Sequence, residues 1–241
     1  AKKVPCAMRW MIVAAAIGGL TACTTTTTSP TPQAAPAAKP VATISVAQAQ
    51  SRLAPIKRRM EPVAERECKR LTQGVNCDFL ISVDPRQNAA PNAYQSLSKS
   101  GRPTITFTAA LVSQARNNDE LAFVMGHEAA HHLMGHLARQ QRDAMAGAAI
   151  AGILVAVAGA DASTLEAAMD LGAGVGARSY SKAYELEADQ LGTIITHKAG
   201  YSPARGVEFF SRIPDPGNVF LGTHPPNAQR VAIVKKTAAG L

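Results

Sequence analysis

The chain has 241 residues, 46% hydrophobic and 17% charged, with 25 Lys+Arg against 17 Asp+Glu and a formal net charge of +8. That balance excludes an acidic disordered tail and a multi-span membrane protein, and the length suits one domain or two small ones. Four cysteines are too few for a disulfide-stapled miniprotein, and aromatics at 5% are too sparse for a platform that stacks single-stranded nucleic acid.

Lys2, Lys3 and Arg9 precede an apolar run over residues 10–20, the pattern of an export signal that is too short to span a bilayer comfortably. Leu20-Thr21-Ala22-Cys23 resembles a bacterial lipobox, which makes 1–22 the expected signal peptide and Cys23 the lipidated first residue of the mature chain. Thr24, not Asp, follows that cysteine. By the same resemblance, the expected location is the periplasmic face of the outer membrane of a Gram-negative bacterium, with the lipid as membrane anchor. No basic stripe interleaved with aromatics is found, so no nucleic-acid partner is expected.

Residues 23–44, Thr-, Pro- and Ala-rich after the cysteine, read as a disordered tether, and 45–241 as one domain. Helical patterning over 45–71 is interrupted by Pro55 and Pro62, which predicts a break or bend there. Residues 77–83 and 104–107 read as strands. Cys68 and Cys77 are the pair left once Cys6 and Cys23 are assigned to the N-terminal segment, and an oxidising periplasm would let them bridge. Closing a loop of about ten residues constrains the unfolded chain by roughly 2.5–3 kcal/mol. Asn118-Asp119 predicts the start of a helix over 119–142, with Leu121, Val124, Met125, Leu133 and Leu137 as apolar positions. Residues 144–160, rich in Gly and Ala, predict a tightly packed buried helix, with a membrane-dipping segment as the alternative. A last helix is expected over 182–198, stopped by Gly200 and Pro203. The expected fold is α+β and predominantly helical, with a small sheet.

Inside the long predicted helix lies His127-Glu128-Ala129-Ala130-His131. Residues four apart on a helix differ by about 40° of rotation and about 6 Å of rise, so both imidazoles leave one face. That is the geometry two neighbouring ligands of a tetrahedral zinc require, while Glu128 can reach a water on the metal without ligating it. His132 and His136 repeat the spacing, but Leu133 cannot serve as base. On one continuous helix His136 lies about 180° from His127, so both read as surface or supporting histidines. Downstream, Glu185-Leu186-Glu187-Ala188-Asp189 puts Glu185 and Asp189 on one helix face and Glu187 about 200° from Glu185. One carboxylate can bind the metal while Asp189 accepts a hydrogen bond from a ligand histidine.

These motifs resemble the HtpX/CAAX-prenyl-endopeptidase family of zinc metallopeptidases, in its periplasmic BepA- and LoiP-like branch. The resemblance extends to Pro91-Asn92-Ala93-Tyr94, Asp119-Glu120-Leu121-Ala122, Ala199-Gly200-Tyr201-Ser202-Pro203, and Thr223-His224-Pro225-Pro226 with Arg230. It implies a zincin-like (gluzincin) fold, one Zn2+ per chain on His127, His131 and Glu185, and Glu128 as catalytic base. Tyr180, Tyr184, His224 and Arg230 are candidates for the donor that holds the oxyanion, with His224 also a candidate fourth ligand. The implied function is a zinc endopeptidase acting on misfolded or stalled cell-envelope proteins; the alternative is a chaperone or assembly factor for outer-membrane proteins that cuts rarely. Unfolded or misassembled envelope proteins, and the outer-membrane assembly machinery, are the implied partners. An extended substrate is expected to pair with the strand over 104–107, taken as an edge.

Overall fold

A computed structural model describes residues 44–179, 181–213 and 226–241. The signal, Cys23, most of the tether, Tyr180 and His224 lie outside the described residues.

Helix α1 (Val46–Leu71) opens with a capping box: the Ser45 hydroxyl accepts from the Gln48 N–H, and the Gln48 side chain accepts from the Ser45 N–H. It runs as one helix through Pro55 and Pro62, so the expected break is absent. Ala49, Leu53, Ile56 and Met60 recur at spacings of three and four and are buried, and this packed face holds the helix together. A Cys68–Cys77 disulfide, with 5.7 Å between Cα atoms, ties the end of α1 to the chain entering strand β1 (Leu80–Val83). Strands β2 (Ala93–Leu97) and β3 (Pro103–Phe107) follow, and the sheet order is β1-β3-β2. β3 pairs parallel with β1 and antiparallel with β2. The strand expected at an edge is therefore the central one, and its pairing groups on both sides are committed. β2 has no hydrophobic alternation (Ala-Tyr-Gln-Ser-Leu), which is why its sequence gives no strand signal.

After the short α2 (Ala109–Gln114), α3 (Asn118–Leu133) is capped by the Asn117 side chain accepting from the Glu120 N–H. It is buried on nearly every side, against α1, the sheet and α6 (Ser181–Lys198). α3 and α6 approach backbone to backbone at Gly126 and Gly192: a Cβ on Gly192 would sit 2.8 Å from the His127 nitrogen, and one on Gly126 would sit 2.8 Å from the Gly192 carbonyl oxygen.

The expected helix over 119–142 is two helices. Gly135, at φ 63, adopts the left-handed conformation that glycine tolerates, and the chain turns there into α4 (His136–Val157). Leu137, expected on the buried stripe, is consequently exposed. α4 and α5 (Ala162–Ser179) form a hairpin that packs chiefly on itself. Its seam is made by small residues: a Cβ on Gly147, Gly172 or Gly176 would overlap the opposing backbone. The buried helix expected over 144–160 is thus corrected. Small side chains make the contact, and Ile150, Ile153, Leu154 and Val157 face outward at 62–85% exposure. Among the described residues no helix is long and apolar enough to cross a membrane. The chain closes with α7 (Pro203–Gly206), a 3-10 turn (Val207–Ser211) and α8 (Asn227–Ala238), which lies on α6.

Candidate metal centre

His127 and His131 leave α3 on the face that meets α6, and Glu185 comes from the first turns of α6. His127 Nε2 and His131 Nε2 are 3.0 Å apart, and each lies 3.4 Å from a Glu185 oxygen. A tetrahedral ion with ligands at about 2.0–2.1 Å has edges of about 3.3 Å, so these separations, to one Glu185 oxygen from each histidine, are of the right size for zinc. The donor set, two imidazoles and one carboxylate, is also the set found with an open fourth position at hydrolytic zinc. These three form the only such cluster among the described residues. Glu128, one position along α3, is buried, and burial lifts its carboxyl above the usual carboxylate range while His127 and His131 pull it down.

Asp189, one turn after Glu185, is fully buried and receives the Nδ1–H of His127 at 2.9 Å. Burial pushes its carboxyl up, but hydrogen bonds from Arg230 and His127 prevail and hold it below the ordinary value. Arg230, reaching in from α8, grips Asp189 with two bonds, Nε to Oδ2 at 2.8 Å and Nη2 to Oδ1 at 2.7 Å, and lies over the Phe210 ring at 3.7 Å. The guanidinium is therefore engaged behind His127. Tyr184, a second candidate donor, gives its hydroxyl to Asp143 at 2.5 Å.

Of the surface and supporting roles that the sequence leaves open for His136, the structure shows the supporting one, at the very site that helical phase places on the opposite side. Because α3 ends before Gly135, the helical phase carried through to residue 136 does not apply. His136 is brought back beside the cluster, buried, with its Nδ1 2.9 Å from the Nδ1 of His131. Burial, and then the neighbouring His131, push His136 down to about 4. Glu187, pointing away from Glu185 as expected, lies 3.2 Å from His136 Nε2 and pairs with Arg139 at 2.7 Å. His132 faces the other way, its Nε2 2.7 Å from the Asn76 carbonyl oxygen beside the disulfide.

A buried helix carrying two histidines, a second helix supplying a carboxylate and a small mixed sheet alongside make a helical α+β fold built around a candidate metal centre. Family comparison agrees: residues 51–238 match the model of peptidase family M48, and the chain belongs to that family. Over 148 residues it is 29% identical to the beta-barrel assembly-enhancing protease of Escherichia coli, covering 56% of this chain and 30% of that protein. Over 179 residues it is 28% identical to the mitochondrial metalloendopeptidase OMA1 of Saccharomyces cerevisiae, covering 69% of this chain and 48% of that protein. The chain thus spans between about a third and a half of the length of these relatives.

Proposed function

We propose that this chain is a zinc-dependent endopeptidase, and the observation that carries the reading is the ligand triangle with buried Glu128 beside it on α3. Zinc held by His127, His131 and Glu185 would supply Lewis acidity, activating a water and polarising a peptide carbonyl. Glu128 takes the proton from the attacking water and returns it to the leaving nitrogen, a task suited to a carboxyl whose proton affinity burial has raised. Arg230 and Asp189 hold His127 in the tautomer that presents Nε2 to the metal. An extended substrate pairs with the outer edge of β2, which lies against α3, since β3 is occupied on both sides.

The substrates proposed are unfolded or misassembled envelope proteins, and the support is the assembly-enhancing role in the name of the Escherichia coli relative. The lipobox-like residues before Cys23 support anchorage at the outer membrane, near its assembly machinery. The test is cleavage of an unfolded protein by the purified chain, wild type beside Glu128→Gln, with the zinc content of each. Zinc in both and cleavage by wild type alone is the expected result, with a loss of about 10²–10⁴-fold in the variant. Zinc in both with cleavage in neither would favour the second reading, a client-binding assembly factor, for which the exposed apolar face of α4 offers a surface.

A further inference from the structure

We infer that His136, with Glu187 and Arg139 behind it, is a positioning residue that fixes the tautomer and ring orientation of His131 for metal binding. The inference rests on the metal reading above and adds to it a supporting chain that the H-E-x-x-H motif does not contain.

Hydrogen-bond donors and acceptors must alternate along this chain, and that requirement assigns every proton. His131 turns Nε2 towards His127 and Glu185, so that nitrogen must be unprotonated to ligate. Its proton is then on Nδ1, whose neighbour at 2.9 Å is Nδ1 of His136. Two imidazole nitrogens at that separation share one proton, so His136 Nδ1 accepts and its own proton sits on Nε2. Nε2 in turn lies 3.2 Å from Glu187 Oε2, an acceptor. Arg139 fixes that carboxylate, Nη1 to Oε2 at 2.7 Å and Nη2 to Oε1 at 3.4 Å.

The ring between them has little freedom. His136 is 4% exposed and stacks on Tyr184 with centroids 4.9 Å apart and planes 16° from parallel. Arg139 covers the Tyr184 ring at 4.1 Å. The arrangement mirrors the one on His127, where Asp189 and Arg230 do the same with one residue fewer. Each ligand histidine therefore ends on a carboxylate held by an arginine, and His136 spans the extra distance on the His131 side.

Such outer partners typically contribute 10–100-fold in metal affinity. The full chain is purified as wild type, His136→Ala and His136→Asn, and zinc affinity is measured by competition with a chelator. Asn offers an amide oxygen near the place of the lost Nδ1, so the expected result is a loss of about 10–100-fold in Ala and recovery of most of it in Asn. Equal affinity in wild type and His136→Ala overturns the inference while leaving the metal reading intact. A wild type that binds no zinc overturns both. Folding defects in the variants do not decide the matter, because the zinc-loaded wild type is also examined by long-range proton–nitrogen NMR of its imidazoles. A neutral His136 protonated on Nε2 is expected; protonation on Nδ1, or on both nitrogens, overturns the inference.

Discussion

Asp189 and Arg230 illustrate how strongly a buried pair depends on both members. Each is at most 6% exposed, and the two share two short hydrogen bonds. Removing the arginine takes two hydrogen bonds and the compensating charge from a buried carboxylate and leaves it the His127 N–H. Arg230→Ala is therefore expected to cost about 3–5 kcal/mol in a urea unfolding series. It should also weaken zinc binding, since His127 loses its fixed partner; a variant of wild-type stability would show that Asp189 is solvated or protonated. By contrast, Arg230→Lys keeps the charge but not the fork, so it should recover only part of the loss.

At the scale of elements, the distance between α3 and α6 is set by two residues that lack a Cβ. Gly192→Ala places a methyl 2.8 Å from the His127 nitrogen and 2.9 Å from its Cα, so one helix must move. Overpacking of this kind costs about 1–3 kcal/mol, and because Glu185 travels with α6 the variant should also bind zinc more weakly with all three ligands present. Unchanged chelator competition would show that the ligand triangle is independent of the helix seam. The same two helices explain what was legible from the residues. His127, Glu128, His131, Glu185 and Asp189 fall within short helical stretches, where spacing alone fixes relative direction. His136 was misplaced because its direction depends on one left-handed glycine between it and His131. β2 was missed for a related reason: its half-buried, polar residues are strand only by virtue of pairing with β3.

For the whole molecule, the main departure from an evenly covered core is the α4–α5 hairpin. From 144 to 160 every side chain is apolar, and four large aliphatic residues of that run face outward. An apolar face of this kind should bind a hydrophobic dye in the purified chain. The double variant Ile153→Ser with Leu154→Ser should reduce dye binding while changing stability by no more than about 0.5 kcal/mol, because neither residue supports the seam with α5. Undiminished dye binding would point to another surface.

The paired supports of the two histidines also have a consequence for overall charge balance. Glu185, Asp189 and Glu187 bring carboxylates to the ligands and their supports, and Arg230 and Arg139 answer two of them. The carboxylate of Glu185 is left over, beside buried Glu128, so a bound cation offsets negative charge that the two arginines do not reach. Stripping metal from the chain should lower its melting temperature, since zinc at a hundred times its dissociation constant contributes about 2.7 kcal/mol. Acid relieves the same imbalance by adding protons to carboxylates and imidazoles, which also compete with the ion. The gap in melting temperature between zinc-loaded and stripped protein should therefore narrow as pH falls, and a gap independent of pH would mean that the balance is struck elsewhere.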